Sequence, residues 1–164
     1  QALIQLRKNH NIIAANVESV SISVPPRYLK ICNIPSPTTG LEAKFSFRLS
    51  AAMVLAGQDT AALSTFSREA CYNADLIALR DRISVMPDIK LSETEAFVQL
   101  QTTNGEILSA NYDINKSLPY KSRKEKIMNK AFALLGEESA VKLWDLVAAG
   151  DPMQFYKVNK IGLT

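Results

Sequence analysis

The sequence predicts an α+β fold, a two-layer sandwich in which helices pack on one face of a mostly antiparallel sheet. Three observations predict it. Several segments alternate apolar and polar residues, as half-buried strands do. An Asn104-Gly105 pair, a strong hairpin signal, separates two of these segments. A helix that is apolar around most of its circumference follows Pro37, and such a helix is typical of a buried core.

Four segments have the two-residue alternation of strands: Val17–Val24, Ile83–Val85, Glu95–Thr102 and Glu106–Asp113. The first is stopped by Pro25-Pro26, and the last two are joined through Asn104-Gly105. In the first segment, Val20, Ile22 and Val24 alternate with serines. This pattern indicates a sheet with one buried face and one solvated face.

The central helix is predicted to start at a capping pattern formed by Thr39 and Glu42, whose side chains can bond free N–H groups of a first turn. Most residues from Phe45 to Ala56 are small or apolar, and Gly57 follows where a left-handed residue is favoured. The polar residues of this helix gather in its first turns: Lys44, Ser46, Arg48 and Ser50. The free N–H groups and the helix dipole favour an anion there.

Shorter helices are predicted before and after the central one. Ala2–Lys8 is the tail of a helix, and Arg27–Cys32 is either a helical turn or an extended piece. Ser67 can cap a helix over Arg68–Tyr72, and Asn73 or Asp75 can cap the next, which runs to about Arg80.

Two closing helices follow Leu118-Pro119. Ser122 and Glu125 form a second capping box, Gly136 breaks the pattern, and the last helix covers Glu138–Ala149 until Gly150-Asp151-Pro152 ends it. The tail to Thr164 is weakly patterned.

Length and composition predict one globular domain. The 164 residues are enough for a sizeable core, and 47% hydrophobic with 21% charged residues is a globular composition. A net charge of +3 is too small to predict binding to nucleic acid or to a membrane. No apolar run approaches the length of a membrane span. A cytoplasmic location is expected because two cysteines far apart in sequence do not form a disulfide framework.

The metal-binding and redox-active residue types are scarce. Cys32 and Cys71 are too few and too far apart for a disulfide framework or a metal site, and they are predicted to be reduced, packed thiols. His10 has no partner at metal-binding spacing. Glycine-rich phosphate loops are absent as well, so neither a metal nor a nucleotide cofactor is expected.

A basic run precedes and enters the first closing helix: Lys116, Lys121, Arg123, Lys124, Lys126 and Lys130. It lacks interleaved aromatic residues that could stack on bases, and Asp113 and Glu125 dilute its charge. A solvated helix face is therefore predicted in preference to a nucleic-acid patch. Met128, Phe132 and Trp144 fit either a helical core or a partner groove.

Several short motifs in the sequence resemble, in their order and spacing, those of a known family. They are Glu42-Ala43-Lys44-Phe45-Ser46 before the alanine-rich helix that ends at Gly57, Leu76–Arg80 leading into Ile83–Val85, the Asn104-Gly105 hairpin, and Lys130-Ala131-Phe132 before Leu135-Gly136. Together they resemble the C-terminal part of the MmgE/PrpD family, which includes 2-methylcitrate dehydratase, cis-aconitate decarboxylase and iminodisuccinate epimerase.

The resemblance implies that residues 1–164 are the smaller α+β domain of a two-domain protein. A larger helical domain is expected before Gln1, where the first helix lacks a cap, and it would supply most acid–base residues of a cleft between the domains. Lys44 and Ser46 would bind a substrate carboxylate, whereas Arg48 is predicted to be a structural or interdomain ion-pair partner. Leu49 stands where some members carry a tyrosine, which argues against a tyrosine-assisted mechanism.

The resemblance favours a cofactor-independent lyase, a dehydratase or decarboxylase of a small di- or tricarboxylic acid. The alternatives are an epimerase of the same family and a non-catalytic binding or assembly module. The chain alone is expected to be inactive because its catalytic set is incomplete. Uncovered apolar surface makes a homo-oligomer a further expectation.

Overall fold

The computed structural model describes residues 1–150. These residues form eight α-helices and four β-strands. The chain divides into two compact units. The first combines Gln1–Thr60 with Ser64–Lys116, and the second combines Ala61–Leu63 with the residues from Ser117 onward.

The first unit contains a four-stranded sheet, formed by β1 (Val17–Val24), β2 (Ile83–Pro87), β3 (Glu95–Thr102) and β4 (Ile107–Asp113). The strand order is β2-β1-β3-β4. The β1–β3 and β3–β4 pairs are antiparallel, whereas β1 and β2 are parallel. The sheet is therefore mixed and mostly antiparallel, and the predicted α+β class is confirmed.

The two faces of the sheet differ sharply in polarity, as the alternation predicts. Val20 lies between Ile83 of β2 and Leu100 of β3, and all three side chains are buried. One residue along, Ser21 lies between Ser84 and Gln99 on the opposite face. One face thus joins the core and the other is lined by serines and amides.

The β3–β4 hairpin forms at the predicted Asn104-Gly105 pair. The N–H of Thr102 donates to the carbonyl of Glu106 at 2.9 Å, and the N–H of Gly105 donates back to the Thr102 carbonyl at 2.9 Å. Gly105 has φ +87°. The loop is therefore a three-residue connection whose last position requires the left-handed conformation that glycine adopts without strain.

Six helices belong to the first unit: α1 (Ala2–Asn9), α2 (Pro26–Leu29), α3 (Gly40–Lys44), α4 (Phe47–Leu55), α5 (Arg68–Tyr72) and α6 (Ala74–Arg80). Helices α7 (Tyr120–Leu135) and α8 (Glu137–Ala148) pack together in the second unit. The side chains of Ser67 and Asn73 cap α5 and α6, as predicted. The ambiguous segment after Pro25-Pro26 is helical only as far as Leu29.

Helix α4 lies at the centre of the first unit, where it contacts α1, α3, α6 and β2. Leu49, Met53 and Leu55 are almost completely buried. The helix ends just before Gly57, whose φ is +81°. The prediction of a central, buried helix closed by a glycine is confirmed.

The continuous helix predicted from the Thr39–Glu42 cap is wrong, because the chain forms two helices there. Helix α3 ends at Lys44, and Ser46 starts α4 with an extended backbone. Asn33 forms an isolated β-bridge with Ser46, and the N–H of Ile34 donates to the carbonyl of Phe45 at 3.0 Å. These bonds from outside the helix draw the backbone at Phe45-Ser46 out of helical geometry.

The second capping box is also wrong. Helix α7 begins at Tyr120, directly after Pro119, so Ser122 and Glu125 lie inside its first two turns. Proline can occupy a helix start without losing a hydrogen bond, and it sets the start of α7 ahead of the serine. Gly136, with φ +78°, separates α7 from α8 as predicted. The predicted stop at Asp151-Pro152 and the predicted weak tail lie outside the described residues.

Within residues 1–150, every helix is too short or too polar to traverse a lipid bilayer.

A substitution at Gly40 can test the close approach of α3 to the loop before α5. A Cβ added at this first residue of α3 would collide with the carbonyl oxygen of Phe66, and shifting backbone is more costly than shifting a flexible side chain. We expect Gly40→Ala to lower the free energy of unfolding by about 1–3 kcal/mol in urea denaturation. Without this contact, alanine would stabilise the helix by up to about 1 kcal/mol, so a gain in stability would contradict the packing.

Candidate functional site

The start of α3 holds a carboxylate of the chain itself. Glu42 Oε2 accepts hydrogen bonds from the N–H of Thr38 at 2.6 Å and from the Thr38 hydroxyl at 2.8 Å. The Thr39 hydroxyl accepts from the N–H of Glu42 at 3.2 Å. These bonds, that of the Thr38 N–H first, lower the pKa of Glu42 below its usual 4.5. The predicted Thr39–Glu42 cap is confirmed, with Thr38 as the group that Glu42 binds.

Ser46 performs the same capping task at the start of α4. Its Oγ accepts a hydrogen bond from the N–H of Leu49 at 3.2 Å, and the N–H of Phe47 donates to the Cys32 carbonyl at 3.1 Å. The residue is only 1% exposed. Two N–H groups in the first turn of α4 are therefore paired inside the protein.

Lys44 is the exposed member of the predicted substrate-binding pair. It is the last residue of α3, two positions before the buried Ser46. Its ammonium group is a charge available at the surface, whereas the Ser46 hydroxyl supports the backbone of α4. Substrate binding by Lys44 and Ser46 stays a prediction.

Arg48, in the first turn of α4, has an unusual environment. Among residues 1–150 it forms no salt bridge. Its Nε is buried and has no hydrogen-bond partner in the described part of the chain. The predicted ion-pair role of Arg48 stays a prediction.

Arg48 lines an open depression of about 400 Å³ in the first unit. The floor of this depression is the polar face of the sheet, and its rim includes the turn between α6 and β2. The polar lining residues beside Arg48 are Ser19, Ser21, Ser84, Gln99, Gln101, Asp81 and Arg82. Lys44 and Ser46 do not line it.

The α6–β2 turn supplies charges that the sequence reasoning missed. Asp81 pairs with Arg80, whose Nε and NH2 lie 2.9 Å and 2.8 Å from the Asp81 Oδ1. Arg82 NH1 donates to the Val17 carbonyl at 2.8 Å, which holds this guanidinium against β1. The only signal for this cluster was the Arg80-Asp81-Arg82 triplet directly before a predicted strand.

The resemblance seen in the sequence is supported by an independent comparison. The family model of the MmgE/PrpD C-terminal domain matches residues 1–140. The chain belongs to this family. No curated protein matches the chain in sequence.

The MmgE/PrpD C-terminal domain described here carries a leucine where the resemblance places a tyrosine in some members. Leu49 is fully buried in the core. A side chain in that position packs α4 and cannot reach a ligand at the surface.

Histidine and cysteine occupy unrelated places in this MmgE/PrpD domain. His10 is exposed, and no three His, Cys, Asp or Glu side chains within residues 1–150 are grouped to hold a metal ion. Cys71 is buried, with Sγ 3.4 Å from the Thr39 carbonyl oxygen, and burial raises the pKa of its thiol. Cys32 and Cys71 are both free thiols, as predicted.

The basic run lies in an exposed position. All six of its Lys and Arg residues are exposed, and two of them bind within the second unit. Lys124 Nζ lies 4.9 Å from the centre of the Trp144 ring, and Lys130 Nζ donates to the Ala61 carbonyl at 2.7 Å. The prediction of a solvated helix face is consistent with this exposure. Met128, Phe132 and Trp144 are half-buried.

Ser46→Ala tests the capping role. Loss of the Oγ acceptor leaves the N–H of Leu49 without its partner, so we expect the free energy of unfolding to fall by about 1 kcal/mol in urea denaturation. Ser50→Ala is the matched control, because Ser50 lies inside α4, where alanine favours the helix. Equal stability of wild type and Ser46→Ala would contradict the cap.

Glu42→Gln tests the carboxylate at α3. A group whose pKa is lowered by folding stabilises the protein above its unfolded pKa, and this contribution disappears as the pH falls through the folded pKa. We expect Glu42→Gln to be less stable than wild type at pH 7, with the difference closing below about pH 4.5. Thermal melts across this pH range measure it. Parallel pH profiles for the two proteins would refute the interaction.

Proposed function

We propose that this MmgE/PrpD C-terminal domain lines the active site of a cofactor-independent lyase acting on a small di- or tricarboxylic acid. The reaction would be a dehydration or a decarboxylation. The observation that carries the proposal is the family match over residues 1–140. The exposed lysine at the end of α3 supports it, because a small acid of this kind needs cationic groups for binding.

The proposed chemistry divides the work between this domain and the rest of the protein. Dehydration removes a proton from the carbon beside a carboxylate and then expels water, so it needs a positioned general base. Both dehydration and decarboxylation also need positive groups that stabilise the negative charge developing on the substrate. Lys44 would hold a substrate carboxylate. Ser46 would contribute through its cap, which fixes the start of α4 beside Lys44.

The general base would come from a larger helical domain, which is the partner that the resemblance implies. The single histidine, His10, belongs to the α1 end rather than to the α3–α4 junction. A cytoplasmic location is part of the proposal, and the two free cysteines support it.

The first experiment assays the full-length protein and residues 1–164 separately. The substrates are 2-methylcitrate, citrate, cis-aconitate and iminodisuccinate, and the readouts are alkene absorbance, released carbon dioxide and optical rotation. We expect alkene formation or carbon dioxide release by the full-length protein and no turnover by residues 1–164. Loss of optical rotation alone would replace the lyase with an epimerase. Turnover by residues 1–164 in the absence of the rest of the protein would contradict the proposal that the general base lies outside this domain.

Lys44→Gln in the full-length protein tests the anion contact. Removing the charge should lower kcat/KM by about tenfold or more, because a charged contact of this kind is worth roughly 1.5–3 kcal/mol. Lys116→Gln, which removes another exposed lysine outside α3, is the matched control. An unchanged kcat/KM for Lys44→Gln would remove Lys44 from the proposal.

A further inference from the structure

The depression on the polar sheet face carries an excess of positive charge. Arg48 and Arg82 line it, and Asp81 is the only acidic side chain among residues 1–150 that does so. Asp81 is already paired with Arg80, which is 12% exposed in its side chain. Arg48 and Arg82 therefore face the depression without a carboxylate of their own among residues 1–150.

The buried Nε of Arg48 is the second observation. A buried donor of a charged group without an acceptor is rare in folded proteins, and it calls for an acceptor such as a water or an ion. No group within residues 1–150 accepts a hydrogen bond from it. Arg48 thus brings to the depression a charge without an ion-pair partner among residues 1–150.

The floor of the depression adds neutral hydrogen-bonding groups. Ser21 pairs in register with Ser84 and Gln99, and Ser19 pairs with Gln101. Hydroxyl and amide groups both donate and accept, so they can bind the hydroxyl groups of a ligand. A volume of about 400 Å³ suits a small molecule.

We propose that this depression binds a small hydroxylated organic anion, whose carboxylate or phosphate group lies between Arg48 and Arg82. Planar guanidinium groups bind either oxyanion through two parallel hydrogen bonds. The ligand's hydroxyl groups contact the serine and glutamine side chains of β1 and β3. This proposal does not depend on the lyase reaction or on Lys44.

Isothermal titration calorimetry of residues 1–164 at low salt tests the proposal with three probes. Citrate carries carboxylates and a hydroxyl, ribose 5-phosphate carries a phosphate and hydroxyls, and ribose is the neutral control. We expect saturable binding of citrate or ribose 5-phosphate, no binding of ribose, and weaker binding as salt rises. Preference between the two anions identifies the ligand's oxyanion.

Variants locate the binding. Arg48→Gln and Arg82→Gln should each raise the Kd by about tenfold or more. Gln101→Glu, which adds a negative charge to the exposed floor, should weaken binding similarly, whereas the matched Gln5→Glu on α1 should not. Lys116→Gln, which removes an exposed lysine outside the depression, should bind as wild type does.

Two results would overturn the proposal. One is the absence of saturable binding of both anions up to about 10 mM. The other is binding that survives Arg48→Gln and Gln101→Glu, or that Lys116→Gln removes. Thermal melts of each variant establish folding. Should Arg82→Gln unfold after losing its bond to Val17, Arg48→Gln and Gln101→Glu decide the question.

Discussion

The structure of the first unit depends on the burial of α4. Leu49, Met53 and Leu55 are nearly inaccessible, and each such side chain contributes about 1.5–3 kcal/mol when it leaves water. Because α1, α3, α6 and β2 all contact this helix, its position determines theirs. A helix surrounded in this way must begin and end without unpaired backbone groups. Ser46 begins it and Gly57 ends it, with the Arg7 guanidinium close to that glycine.

The burial of α4 also determines which of its polar residues can bind anything. Leu49 points into the core, and Ser46 is used by the backbone. Arg48, which directly precedes the core leucine, lines the depression on the polar face of the sheet, and Lys44 precedes the break between the helices. The positive charge of this region thus lies in two side chains with different surroundings, one exposed and one partly buried. Anion binding by Lys44 and Ser46 at the helix start stays a prediction.

Local patterns predicted the elements. Of the two predictions that failed, one depended on a contact between distant segments and the other on a nearby proline. The alternation in β1, β3 and β4 identified both the strands and their buried faces. Successive side chains of a strand point to opposite faces of the sheet, so the apolar positions identify the buried face. The break at Phe45-Ser46 could not be predicted in this way. Phe45 and Phe47 continue the apolar helical pattern, and the bridge that interrupts it comes from Asn33. The Ser122–Glu125 pattern was equally ambiguous. Helix α7 begins directly after Pro119, so both residues lie inside the helix instead of at its start.

The depression was harder to predict than any single element, because it depends on strand pairing. Nothing in the alternation of β2 shows that it lies parallel to β1, yet this pairing places Ser84 beside Ser21 and brings Arg82 to the same edge. A shift of one residue would move Ile83 to the solvated face and Ser84 into the core. The buried Val20–Ile83 pair opposes such a shift. The apolar face of the sheet therefore determines the chemistry of the polar face, where Arg48 and Arg82 line the depression.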